Sequence, residues 1–346
     1  MAGQGGPALN PAEIPSLQKF MRRRMMKLAR IVLSALLALH VLPLYAQSAA
    51  RPIRLVVPYP PGGIADMLAR EVATPLAAVL GQAVVIENKG GGAGALGSSL
   101  VKNAEPDGLT LLFTNVGPSA IAPAMSKAPP YDAVADFRAV TLVSRAPLML
   151  VARSDAGFND IRQLIAAAKA KPAAIEYSSA GVGSFGHLST ELFAQAAGIR
   201  LLHVPYQGQA PATLALLTGE VKIALTSPSA QLFDMVRSGK LRLLGVSTTK
   251  PTELVPGAQP IADVIPGFDS QYWFGIVAPA KVSDAAVARI DGAMRKVLAD
   301  PAIAAKFRTI GNEIGSGTPA LFQKLIADEA SRWKEVVKAA NIQSAD

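Results

Sequence analysis

From residue 53 onward, short apolar runs alternate with longer stretches in which apolar side chains recur every three or four positions. The runs read as buried strands and the stretches as amphipathic helices. The first series predicts strands at 53–57, 83–86, 109–114 and 140–143, with helices at 65–80 and 96–103. A strand at 148–152 leaves it. A second series then gives helix 161–170, strand 175–178, helix 186–197, strand 201–204, helix 211–217, strand 221–225, helix 230–237 and strand 241–246. After a segment punctuated by Pro251, Pro256, Pro260 and Pro266, residues 273–278 read as a buried strand, and helices at 283–298, 302–310 and 319–340 close the chain. The alternation argues for an α/β fold with parallel sheets covered by helices. Helices that follow a lone strand need a sheet elsewhere to pack on. A chain that crosses to a second domain and returns supplies it, with 51–149 and 272–346 forming one domain and 150–271 the other.

The N-terminus follows a different pattern. Arg22, Arg23, Arg24, Lys27 and Arg30 precede an apolar run at 31–44, interrupted by His40 and Pro43 and ending in small residues around Ala46 to Ala50. This is the layout of a secretory signal peptide, expected at 21–48, with cleavage after Ala46 or after Ser48. The run is shorter than the roughly 20 residues that a membrane-spanning helix needs. Residues 1–20, rich in Gly and Pro and without periodicity, read as an upstream extension, the native start being Met21 or Met25. An exported, periplasmic protein is expected.

The leader also changes how the charge is read. The net charge of +9 suggests nucleic acid or an anionic surface. Residues 1–46 carry six Lys/Arg and one acid, Glu13, so they account for +5 and the remainder keeps +4. Its basic residues are scattered and no aromatic stacking motif accompanies them, so nucleic acid is not expected as a partner. The absence of cysteine removes disulfides, thiolate metal sites and thiol nucleophiles. Only His187 and His203 remain after processing, so neither a metal site nor a cofactor is expected.

Four loops at strand-to-helix junctions carry the polar content: 58–66 (PYPPGGIAD), 88–94 (NKGGGAG), 178–187 (SSAGVGSFGH) and 204–211 (VPYQGQAP). Glycine lets backbone N–H groups face a cleft, and the following helix leaves its first N–H groups unpaired and positively polarised. Such ends attract anions, and this edge of an open α/β sheet is where ligands generally sit. A nucleotide fits poorly. There is no P-loop Lys-Ser/Thr, and Gly181-x-Gly183-x-x-Gly186 lies mid-chain with no acid about 20 residues later. A serine hydrolase fits poorly too, because Val182 stands where a nucleophile elbow needs glycine before Ser184, and no acid pairs clearly with His187. Structural roles compete with ligand contact at several positions. Ser184 can cap a helix, Asp66 can complement a first turn, Asn88 can shape its turn, His187 can be packed, Trp273 can be core or hinge, and Gly90 to Gly94 can serve backbone shape.

Taken in order, the motifs resemble a known family. They are Pro61-Gly62-Gly63-x-x-Asp66-x-x-Ala69-Arg70, Asn88-Lys89 with its glycine loop, Pro106-Asp107-Gly108-x-Thr110-Leu111, Tyr131-Asp132 and Asp136-Phe137. Gly181-x-Gly183-Ser184-x-x-His187-Leu188, Val204-Pro205-Tyr206-x-Gly208-x-Ala210-Pro211, Trp273-Phe274-Gly275 and Ala278-Pro279-Ala280 follow. The series resembles the periplasmic solute receptors of tripartite tricarboxylate transporters, also called Bug proteins, over essentially all of 51–346. The resemblance implies a type II periplasmic binding protein fold, in which two α/β domains joined by crossing strands close on a ligand, and a protein that is not an enzyme. It implies a small carboxylate as ligand: a mono-, di- or tricarboxylate, an acidic amino acid or an aromatic acid. The partners implied are the membrane permease subunits of a transporter, and the chain itself is expected to be a monomer.

In similar proteins the first loop holds one carboxylate, which here involves Tyr59, Gly62, Gly63 and Asp66. The opposite domain contributes Ser179 and Ser184, then Tyr206 and Gly208. Thr114 and His187 complete the candidate ligand-binding set. Departures from the family pattern are the order Gly-Gly-Gly-Ala-Gly in the second loop and Leu109 in place of a tyrosine. Thr226 and Ser227 also stand where many relatives carry an acid, which counts against recognition of an amino group. The alternatives to transport are a periplasmic carboxylate sensor of the same fold and, from another class, a serine hydrolase.

Overall fold

The computed structural model describes residues 24–26 and 51–342. The extension and all but three residues of the leader lie outside the described residues. Residues 51–346 form one compact unit, separate from 1–50.

Two sheets organise the larger unit. The first has six strands in the order β11-β4-β10-β3-β1-β2 and the second five in the order β7-β6-β8-β5-β9. The first sheet takes β1 (Ile53–Val57), β2 (Val84–Asn88), β3 (Thr110–Asn115) and β4 (Phe137–Ala146) from the first half of the unit, and β10 (Tyr272–Pro279) and β11 (Glu313–Ile314) from its end. The second takes β5 (Met149–Arg153), β6 (Glu176–Ser179), β7 (Leu202–Pro205), β8 (Ile223–Thr226) and β9 (Leu241–Val246).

The sheets are mixed rather than parallel, which corrects the expectation from alternation. β1 pairs parallel with β2 and β3, and β6 parallel with β7 and β8. β10 pairs antiparallel with β3 and β4, and β5 antiparallel with β8 and β9. The cause is the crossing itself: β4 continues almost directly into β5 in the other sheet, and β10 brings the chain back, so strands around each crossing run against their neighbours. The two crossing segments are tied together by buried serines. Leu148 N–H donates to Ser247 Oγ at 2.8 Å, and Ser270 N–H donates to the Ser247 carbonyl at 3.0 Å. Ser247 and Ser270 are fully buried.

Helices cover both sheets. Helix α1 (Ile64–Leu80) buries Ala65, Leu68, Ala69, Val72 and Leu76 at a 3–4 spacing, and Gly81 in the left-handed conformation ends it. Its apolar face shares one cluster with the helix Asp284–Leu298, whose Val287, Ile290 and Met294 are also buried. The helix Pro319–Ala339 packs Phe322, Ile326 and Trp333 on the other face of the first sheet. That cluster continues into the second sheet's helix Phe185–Ala197: the Phe185 ring meets Trp333 edge-on at 5.6 Å and Tyr272 at 5.0 Å. A connected aromatic core therefore runs through the hinge.

Candidate ligand-binding cleft

Two cavities open at the strand ends, and they share only Tyr59 and Tyr272. The first, about 470 Å³, is walled by the loop and first turn at Tyr59–Ala65 and by Asn115, Phe274 and Asn312, with Ser227 and Pro228 facing them from the second sheet. The second, about 570 Å³, lies between Gly92–Ala95 and the segment 117–131 on one side and Val182–Phe185 on the other. The segment 117–125 is helical, first a π turn at Gly117–Ile121 and then the short helix Ala122–Met125. The sequence reading contains neither.

Asp66 organises the first loop. Its buried carboxylate accepts from the Gly62 N–H at 3.0 Å, from Arg70 Nε at 2.9 Å and from Asn88 Nδ2 at 3.0 Å. The Arg70 hydrogen bond, followed by those of Gly62 and Asn88, holds the carboxyl down at about 2 despite burial. Asn88 also donates to the Tyr59 carbonyl at 3.2 Å, and Arg70 donates to Asn88 Oδ1 at 3.2 Å. Three separate stretches of chain thus fix one turn. The glycine loop below it completes the support, since a Cβ on Gly90 would sit 2.9 Å from Pro60 Cδ.

What this turn presents to the cavity is backbone. Helix α1 begins at Gly63 with no side chain capping its N–H groups, whereas Asp160, Ser184, Ser229, Ser283, Asp300 and Thr318 cap the helices that follow them. The helix Gln209–Thr218 likewise starts at Gly208 with no side-chain cap. An uncapped N-terminus is a donor site for an acceptor group brought by a ligand.

Tyr59 separates the two cavities and is held in place at its hydroxyl. It donates to Asn115 Oδ1 at 3.0 Å, which also accepts from the Gly117 N–H at 2.8 Å, and it accepts from the Tyr272 hydroxyl. Burial pushes the Tyr59 phenol up to about 12 and the Tyr272 phenol well above its ordinary value, so both are neutral donors.

On the second sheet, Ser184 caps its helix by accepting from the His187 N–H at 3.3 Å, and it lines the larger cavity. His187 is buried, with Nδ1 accepting from the Gly183 N–H at 3.1 Å. Its ring stacks on His203 with centroids 3.8 Å apart, and His203 stacks on Tyr177 at 4.9 Å. Burial, with His203 as the second cause, draws His187 down to about 4, and burial does the same to His203. Ser179 Oγ lies 2.6 Å from His203 Nε2 and lines a small pocket of about 20 Å³ with Ser178, Gln209 and Thr226. Tyr206 directs its hydroxyl to Glu220 at 3.1 Å. Thr114 is fully buried and shares a 2.7 Å hydrogen bond with Ser119.

Of the ten candidates, Tyr59, Gly63 and Ser184 line the large cavities, and Gly62 and Asp66 build the wall behind Gly63. Thr114, Ser179, His187, Tyr206 and Gly208 line neither large cavity. Asn115, Ser227, Tyr272, Phe274 and Asn312 line the first one without having been singled out. The signal for Tyr272 and Phe274 was available, because in a strand they share the face opposite Trp273. Among the described residues, no group of three or more His, Asp or Glu is placed to hold a metal ion, and no helix is long and apolar enough to cross a membrane.

Comparison with known proteins gives a consistent pattern. The profile of the TctC family, described as "Tripartite tricarboxylate transporter family receptor", matches residues 68–342. The chain is 32% identical over 291 residues to protein BugT of Bordetella pertussis, covering 84% of this chain and 89% of BugT. It is similar to the solved structure of R. palustris Rpa4515 with adipate, at 32% identity and a TM-score of 0.68, covering 84% of this chain and 98% of that one. It is also similar to MatC from Rhodopseudomonas palustris with bound malate, at 27% identity and a TM-score of 0.65, covering 83% and 98%.

Proposed function

The chain belongs to the tripartite tricarboxylate transporter receptor family, as its ordered motifs suggested, and on that premise we propose that it captures a small carboxylate in the periplasm and delivers it to the permease subunits of a transporter. The observation that carries this reading is the uncapped start of helix α1 at Gly63, opening into the 470 Å³ cavity on a turn that Asp66, Arg70 and Asn88 hold rigid. A carboxylate placed there accepts from backbone N–H groups and sits at the positive end of the helix. The relatives solved with adipate and malate support the ligand class.

Residues 51–149 with 272–346 act as one closing body and 150–271 as the other. A ligand resting on Gly63 touches Ser227 and Ser184 only when the bodies approach, so it shifts the hinge equilibrium by the free energy of those added contacts. Each hydrogen bond to a charged group contributes about 1.5–3 kcal/mol net. A few of them suffice for micromolar affinity, which corresponds to about −8 kcal/mol. The leader directs export and is cleaved, and the mature chain works as a monomer.

Catalysis has no support in the cleft. Ser184 Oγ is engaged as a helix cap, and His187 Nδ1 accepts from Gly183 rather than facing Ser184 as a base. The test is thermal unfolding of the mature chain with a panel of carboxylic acids, including adipate and malate, alongside neutral sugars. A ligand at 100 times its Kd adds about 2.7 kcal/mol, a shift of several degrees. Stabilisation by an acid supports capture. Stabilisation by a sugar and by no acid would overturn it.

A further inference from the structure

The two large cavities are lined by no Asp, Glu, Lys, Arg or His. The four glycine loops that face the cleft add little to this. Their ionisable groups apart from tyrosine are Asp66, Lys89 and His187. Asp66 is neutralised by Arg70, His187 is buried beneath its loop, and Lys89 lines neither cavity. Arg70, the nearest base to the first loop, is itself held by Asp66 and Asn88. Approach of the two sides therefore brings no charged side chain to the ligand.

The wall of the 470 Å³ cavity is correspondingly apolar. Pro61, Ile64, Phe274, Ile310 and Pro228 surround it, and Ile64 is held 46% exposed beside the helix end. Of the polar groups there, Asn312 is spent on the Ser144 hydroxyl and the Ile310 carbonyl, and Asn115 Oδ1 on Tyr59 and Gly117. Ser227, exposed at the end of β8, is the remaining side chain on the facing side.

We infer that the ligand is a monocarboxylate on an uncharged, apolar body of ring size, bearing neither an ammonium group nor further carboxylates. This rests on the carboxylate-capture reading of the same cleft. One carboxylate is met by the backbone at Gly63. A second charge on the body would leave water with no counter-charge to meet it, which is a heavy penalty. An apolar ring against Ile64 and Phe274 is favoured by the area it removes from water. The cavity volume is in the range of sites that enclose such molecules.

Titration calorimetry of the mature chain with 3-phenylpropanoate, phenylalanine, succinate and citrate tests this. Phenylalanine differs from 3-phenylpropanoate only by its ammonium group. The expected result is binding of 3-phenylpropanoate at least about tenfold tighter than each of the other three. Citrate, succinate or phenylalanine binding as tightly or more tightly would overturn the inference and leave carboxylate capture standing. Binding of no acid would overturn both. In Ser227→Asp, a change at an exposed position, phenylalanine should gain about tenfold and 3-phenylpropanoate should lose. If neither affinity moved, the ligand body would not lie against Ser227, and its assignment to this cavity would be wrong.

Discussion

The imidazole rings of His187 and His203 stack face to face, with centroids 3.8 Å apart and planes inclined by 9°. Two cations cannot share that geometry cheaply, and both rings are drawn from an ordinary value near 6.5 to about 4. The unfolded chain therefore binds more protons than the folded one between pH 6.5 and 4. Stability falls across that window as the pH drops and levels off below it. Glu191, raised by burial, takes up a proton in the opposite sense and offsets part of the effect. A variant carrying His187→Gln and His203→Gln keeps Glu191 and isolates the histidine term. Melting curves from pH 7 to 4.5 should show the unmodified chain losing about 2 kcal/mol relative to that variant, or roughly 4–8 °C. Parallel pH profiles would remove the stacked pair from the account.

Asp66 contributes as an ionised group. Its carboxyl is depressed from 3.8 to about 2, so its stabilisation is fully present above the ordinary value and is lost as the pH falls toward 2. Asp66→Ala removes the acceptor for Gly62, Arg70 and Asn88 at once. Arg70 is half exposed and recovers water, so the expected stability loss is about 2 kcal/mol rather than that of a fully buried pair. Ligand affinity should fall by more than about tenfold, because the turn that aims the Gly63 end of helix α1 is released. Urea unfolding and calorimetry on the same variant measure both. A large stability loss with unchanged affinity would separate the turn from binding.

Gly275 lies on the returning strand β10 between Phe274, which lines the cleft, and Ile276 in the core. A Cβ there would run into the Phe322 ring and lie 2.9 Å from the Thr141 carbonyl. Gly275→Ala should cost about 1–3 kcal/mol through overpacking. Phe322→Leu placed beside it should recover part of that loss, whereas Phe322→Leu alone destabilises. Chemical denaturation of the three variants measures the coupling, and strict additivity would mean that the two positions do not compete for space.

Much of this framework was legible as pattern. The helix Ile161–Ala170 and strand Leu241–Val246 coincide with the sequence reading because apolar spacing, a capping Asp160 and flanking polar residues all agree locally. The helical segment 117–125 was not legible, since Gly117, Pro118 and Pro123 read as breakers. Tertiary contacts sustain it, including the Tyr131 hydroxyl donating to the Pro118 carbonyl at 2.7 Å. The direction of a crossing strand is equally hidden, because an apolar run looks the same whichever way its neighbours run. Side-chain aim is the remaining gap. Tyr206 stands in a loop that looks built for a ligand, yet its hydroxyl reaches Glu220, a partner that only the path of the intervening helix brings near.

Tyr59 links the two cavities to the hinge, and its hydroxyl is the part that can be removed with least change in shape. Tyr59→Phe keeps the ring between the cavities but leaves the Tyr272 hydroxyl without its acceptor and Asn115 Oδ1 with one donor fewer. Burial makes that expensive relative to an exposed pair, and a loss of about 1–2 kcal/mol in stability is expected. Tyr272 sits on the returning strand with Phe185 of the second sheet against its ring at 5.0 Å. Freeing its hydroxyl should therefore loosen the crossing as well as the cavity wall. Ligand association would then be more sensitive to the variant than the depth of the cavity alone explains. Asn115→Ala, which removes the other end of the same chain of hydrogen bonds, should lower affinity by a similar factor. The double variant should lose less than the sum of the two, and full additivity would show that Tyr59 and Asn115 act separately.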